Sequence, residues 1–104
     1  MTGVEHNKLI RDNIPEIIEA RGKTAVVRTL SDEEYVHYLK RKLQEEVDEY
    51  IENSCIEELC DIYEVLDALK KALRYADDDI ESVKSKKAIK NGKFDKKLLL
   101  ERVL

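Results

Sequence analysis

Apolar residues recur along most of this chain at steps of three and four between runs of charge, which predicts amphipathic helices. The longest such stretch runs from about Asp32 to Glu52, with Val36, Leu39, Leu43, Val47, Tyr50 and Ile51 on one face. Ser31 with Glu34 has capping-box spacing at its start. At 1.5 Å per residue this helix is roughly 30 Å long. After a break at Asn53-Ser54, Ser54 with Glu57 repeats the capping spacing and opens the next helix. That helix carries two apolar rows. One is Cys55, Leu59, Ile62, Leu66, Leu69, Leu73 and Ala76; the other is Val65, Ala68 and Ala72, in line with Glu58 and Asp61. Apolar surface on two sides predicts a central helix packed from more than one direction. The small residues beside the acids leave room for a flat, base-sized group, although such rows more often serve close helix packing.

The flanks are shorter. Ile14, Ile17 and Ile18 stripe a brief helix that Asp12 or Asn13 can cap, that tolerates Pro15 in its first turn and that Gly22 ends. Asp77, Asp78 and Asp79 start a fourth helix that stops at Asn91-Gly92. Thr24 to Leu30, TAVVRTL, is β-branched and short, and reads as a strand. The tail KFDKKLLLERVL ends in an apolar run able to pair with it as a two-stranded antiparallel ribbon. Residues 1 to 7 show no pattern and are expected to be loose. The expected architecture is all-α: an antiparallel bundle of about four helices, with that small ribbon as its one β feature, in a single domain spanning residues 1–104.

Composition sharpens this picture in three places. Charged residues make up 40% of the 104-residue chain, so much of each helix must face water, and a small helical core of this kind is often completed by oligomerisation. The net charge of −4 argues against binding polymeric nucleic acid, which needs a basic face. Acids dominate from Ser31 to Leu69, whereas seven lysines between Lys84 and Lys97 meet only Asp95. Such a split suits a site holding cations in one place and anionic groups in another, or simply solvated faces matched to helix dipoles. No segment has the length or apolarity of a signal peptide or a membrane span. Cys55 and Cys60 are placed on different sides of a helix and complete no zinc set, so the thiols are expected to be reduced and the protein cytoplasmic.

The chemistry concentrates in two acidic pairs, Glu46 with Glu49 and Glu58 with Asp61, each spaced i,i+3 and flanking the Asn53-Ser54 break. At about 100° per residue, Glu46 and Glu49 fall at the rim of the apolar face, in line with Leu39 and Lys42, while Glu45, Asp48 and Glu52 point toward solvent. A single i,i+3 acidic pair is usually a solvated face. Two pairs near the core side of two helices joined by a turn are different. Carboxylates about 5 Å apart repel by roughly 3 kcal/mol at an effective dielectric near 20, a burden that cations, protonation or basic partners must relieve. Oxygen-only donors suit Mg²⁺ or Mn²⁺, which retain waters and bind substrate phosphates. Such an ion polarises a phosphoryl oxygen and activates a bound water, pointing to phosphoanhydride hydrolysis. No glycine-rich phosphate loop and no Ser/His or Cys/His pairing competes; His37 falls on the solvent side of its helix and His6 near the chain end.

Glu46-x-x-Glu49 followed by Glu58-x-x-Asp61 resembles the ExxE…ExxD signature of the all-α nucleoside triphosphate pyrophosphohydrolases, which include MazG, dimeric dUTPases and phosphoribosyl-ATP pyrophosphohydrolase. KLIRDNIPEIIEARG, TLSDEEY and NGKFDKKLLLERV are similar to segments of the small MazG-like group expected to clear noncanonical nucleotides. The resemblance implies a Mg²⁺-dependent homodimer or homotetramer that cleaves triphosphates between the α and β phosphates, releasing a monophosphate and pyrophosphate. It implies Glu46, Glu49, Glu58 and Asp61 as metal ligands, one of which, or a neighbour, orients the attacking water. Lys8, Arg11 and Lys93 become candidates for phosphate contact, against a background expectation of ordinary surface bases. Two features depart from the group: only eight residues separate Glu49 from Glu58, and Asn13 stands where Lys is common. Two alternatives stand beside this reading: phosphoribosyl-ATP pyrophosphohydrolase acting on one biosynthetic substrate, and a non-catalytic helical oligomerisation module whose acids are solvated.

Overall fold

The computed structural model of the protein describes Gly3 and residues 6–104; residues 1, 2, 4 and 5, part of the stretch expected to be loose, lie outside the described residues. Among the described residues the fold is all-α: α1 (Ile14–Ala20), α2 (Asp32–Glu52), α3 (Ile56–Leu73) and α4 (Asp77–Asn91). The chain divides into two compact units, Met1–Arg74 and Tyr75–Leu104.

The first unit is built on an antiparallel hairpin of α2 and α3. α2 starts where its capping box places it. The Ser31 Oγ accepts from the Glu34 amide at 3.2 Å, and the Glu34 carboxylate accepts from the Ser31 amide, also at 3.2 Å. Arg28 clamps the same carboxylate with two bonds, of 3.2 and 2.8 Å. The Arg28 hydrogen bond, then the Ser31 amide, push the Glu34 carboxyl down to about 2. Both helices contribute to the core along one line. Leu39 is 2% exposed and Val65 8%. Two turns from each along its own helix, on the same face, lie Glu46 and Glu58.

The link between them is short. Asn53 closes α2 by donating its amide to the Glu49 carbonyl, and the Cys55 amide donates back to the Asn53 carbonyl at 2.8 Å. Cys55, extended at φ −120° and ψ 165°, is the N-cap of α3 and makes no side-chain cap bond. The expectation for Ser54 therefore changes: its hydroxyl turns back to the Tyr50 carbonyl at 3.0 Å and finishes α2 instead of starting α3. α3 also ends earlier than the apolar row reaching Ala76 implied. Arg74, at φ 58°, adopts the left-handed cap and donates its amide to the carbonyls of Lys70 and Lys71.

α1 ends at Ala20 with Arg21 as its C-cap, and Gly22 follows at φ 80°, the turn-permitting conformation anticipated there, its amide reaching the Glu19 carbonyl at 2.9 Å. The strand expected over Thr24–Leu30 is not formed, and no strand occurs among the described residues, so the ribbon with the C-terminal tail is absent. β-Branched composition favours strands only where a neighbour offers a ladder and a packed face. Here Val26 is 96% exposed, and the segment is held instead by Arg28 on Glu34.

The second unit carries α4 and the tail. α4 begins with Asp77, Asp78 and Asp79, has a lysine in its last turn and stops at Gly92 (φ 82°), as its sequence pattern indicated. Leu98, Leu99, Leu100 and Val103 in the tail are exposed. No helix among the described residues is long and apolar enough to cross a membrane.

Because the folded Glu34 carboxyl titrates below its unfolded value of about 4.5, the stabilisation it gives is present above that pH and lost as pH falls toward about 2. Thermal melts followed by circular dichroism should therefore show Glu34→Gln less stable than the parent at pH 7. The gap should close progressively between pH 4.5 and pH 2.

Candidate metal centre

The α2–α3 turn carries acids from both helices to one place. Glu46, Glu58 and Asp61 each offer a carboxylate oxygen, and these three oxygens lie within 4.8 Å of one another. Helical spacing accounts for the set. Glu46 shares the line of Leu39, which faces α3; Glu58 shares the line of Val65, which faces α2; Asp61 is one turn beyond Glu58. The eight-residue gap between Glu49 and Glu58 thus leaves the carboxylates of both helices facing one another.

Glu49 lies outside this trio and its residue is exposed. Its carboxyl is nevertheless pushed up from the ordinary glutamate value. Partial loss of solvent contributes most, followed by the charge and hydrogen bonding of Glu46, then the charges of Glu58 and Glu45. It is the fourth acid at the rim of the same cluster.

Three cations answer these acids. Lys42, with its side chain only 17% exposed, reaches Glu46 at 3.1 Å and Glu45 at 3.3 Å. Burial opposes its charge, but bonding to Glu46 and the charges of Glu45 and Glu46 outweigh it and raise its pKa. Arg11 donates to Asp61 at 2.7 Å, and Lys8 stands 3.6 Å from Glu45. Two of the three proposed phosphate-binding residues therefore sit beside the acids. Lys93 belongs to the second unit, exposed immediately after Gly92.

Two residues escaped the sequence reading. Glu45, expected to face solvent, is half-buried and paired with both Lys8 and Lys42; Asp48 and Glu52 are exposed as expected. Its Cα points away from the Glu46 line, but its long side chain bends to meet lysines from two segments. Lys42 was placed in line with the acids without a role, although its i,i+3 and i,i+4 spacing to Glu45 and Glu46 was legible. Beside this cluster, residues 6–9 and the outer face of α2 enclose an open cavity of about 380 Å³ whose lining includes Lys8, Tyr38, Arg41, Lys42 and Glu45. Arg41 stacks 5.6 Å from the centre of the Tyr38 ring there. His37 is exposed with its ring edge-on to Tyr38, and His6 is exposed at the cavity mouth.

The donor set fits a hard divalent ion. It is all oxygen, and the Oε2 atoms of Glu46, only 6% exposed overall, and of Glu58 are buried with no hydrogen-bond partner among the described residues. Octahedral Mg²⁺, at about 2.1 Å from each oxygen, would space its ligand atoms by about 3.0 to 4.2 Å, so small side-chain rotations would close the present span.

No family model matches the chain, and no solved structure matches it significantly. One similar protein, an uncharacterized protein of Mycolicibacterium smegmatis (strain ATCC 700084 / mc(2)155), is 60% identical over 42 residues. That match covers 40% of this chain and 43% of the mycobacterial protein, so the chain spans under half the length of the relative it matches.

Without a cation, the crowded negative charge should oppose folding. Glu49→Gln removes one such charge without breaking an ion pair to Lys8, Arg11 or Lys42, and should raise the melting temperature of the metal-free protein at pH 7 by a few degrees. Calorimetry in the presence of a chelator measures it.

Proposed function

We propose that this protein is a Mg²⁺- or Mn²⁺-dependent nucleoside triphosphate pyrophosphohydrolase of the MazG-like kind, acting on nucleotides that include noncanonical ones. The observation that carries the reading is the convergence of Glu46, Glu58 and Asp61, with two buried carboxylate oxygens left unpartnered. Structural ion pairs satisfy their lone pairs; these atoms do not, and a divalent ion would. When bound, that ion would neutralise charge on phosphate oxygens and lower the pKa of a coordinated water.

The chain's own residues take complementary parts. Glu46, Glu58 and Asp61 would hold the ion, with Glu49 as a fourth ligand or its neighbour. Glu49, at the rim of the same cluster, is placed to orient the attacking water and accept its proton. Lys8 and Arg11 present positive charge on the near side and would hold the phosphates. Water adds at the α phosphorus, the bond to the bridging oxygen breaks, and pyrophosphate leaves. The cavity beside Lys8 and Lys42, with the Tyr38 ring in its wall, is large enough for a base or sugar.

One observation favours self-association as part of this reading. Ile56, Leu59, Tyr63 and Leu66 lie on one stripe of α3 and are 73%, 37%, 61% and 39% exposed, an apolar face that a second copy would cover. The same stripe is what a non-catalytic oligomerisation module would need, so activity must separate the two.

Pyrophosphate release from a nucleotide panel with Mg²⁺ or Mn²⁺ provides that test. The parent should turn over at least one triphosphate. Glu58→Gln and Asp61→Asn should each reduce the rate on the order of a hundredfold or more, while Glu52→Gln leaves it unchanged. No turnover of any triphosphate, phosphoribosyl-ATP included, together with no calorimetric binding of divalent ions, would leave only the oligomerisation module.

A further inference from the structure

Asp61 faces positive charge from one side and the acidic cluster from the other. Its Oδ1 accepts a 2.7 Å bond from Arg11, fifty residues away in sequence, and its carboxylate is also one of the three that converge. A divalent ion on Asp61 would stand against the guanidinium, and like charges at that range repel strongly. Lys42 is in a different position: it is deeply placed and tied to Glu45 and Glu46 from within its own helix. Arg11 comes from the irregular segment before α1, and its side chain is 57% exposed. It can swing away while the hairpin core of Leu39 and Val65 stays intact.

We propose that Arg11 is a positioning residue that leaves Asp61 when a divalent cation enters and turns to the phosphate oxygens of an anionic substrate, so that cation and phosphate-bearing ligand enter the site together. This rests on the metal-dependent reading above. In the metal-free protein Arg11 neutralises part of the acidic cluster. Once released it is an unpaired guanidinium next to the bound ion, where a phosphate is the fitting partner because its oxygens match the guanidinium fork. The site thereby favours a metal–polyphosphate complex over the bare ion.

Two measurements on the full chain test this without relying on turnover. The first is Mn²⁺ binding in the absence of nucleotide, read from the electron paramagnetic resonance of free Mn²⁺. Arg11→Gln should bind Mn²⁺ about three- to tenfold more tightly than the parent, since the competing charge is gone. Arg28→Gln removes an equal charge on Glu34, twelve residues and about 18 Å along α2 from Glu46, and should stay within about twofold. The second, on the unmutated protein, follows the Arg11 Nε–Hε resonance by NMR. Saturating Mg²⁺ should move it toward the solvent-averaged position, and inorganic pyrophosphate should then move it again. Arg11→Gln affinity equal to or weaker than the parent, or an Arg11 resonance that Mg²⁺ leaves unmoved, overturns the proposal while metal binding stands. Failure of both proteins to bind Mn²⁺ overturns it together with the metal-dependent reading.

Discussion

Like charge forced into a small space governs the first unit. The α2–α3 hairpin packs the helices that bury Leu39 and Val65, and the same helical faces carry Glu46 and Glu58 two turns nearer the turn. Closing the apolar contact therefore brings the carboxylates together whether or not that is favourable in itself. Lys42, Lys8 and Arg11 offset part of the cost, yet the Oε2 atoms of Glu46 and Glu58 find no hydrogen-bond partner among the described residues. Such a feature burdens a marginally stable domain, and under the proposed reading a divalent cation would relieve it at the cluster itself.

The counter-ions show how relief is distributed. Lys42 belongs to α2 and is fixed by the helix that presents Glu45 and Glu46, so it sets the resting charge of the site. Lys8 and Arg11 come from the segment ahead of α1 and clasp the acids from outside. Under the proposed reading, the inner Lys42 would stay in place while the outer charges answer first the acids and then an anion.

Much of this was legible in the sequence because it is local. The bounds of α2 followed from the Ser31–Glu34 capping box and a clean apolar stripe, and the inward placement of Glu46 followed from its register with Leu39. What escaped depended on partners distant in sequence or on side-chain reach. Thr24–Leu30 has the composition of a strand but no neighbouring strand to pair with, and Arg28 holds it in place instead. Ser54 had the residue type of an N-cap, but its hydroxyl found the Tyr50 carbonyl first and left Cys55 at the cap position. Glu45 lies about 100° around the helix from Glu46, and its half-buried carboxylate meets both Lys42 of its own helix and Lys8 from another segment. The Arg11–Asp61 pair spans fifty residues and has no local signature.

Anomalous diffraction from crystals grown with Mn²⁺ would show whether the converging carboxylates are a cation site. One or more anomalous peaks are expected about 2.2 Å from carboxylate oxygens of Glu46, Glu58 and Asp61. Crystals holding saturating Mn²⁺ with no peak at that cluster would contradict a cation site there.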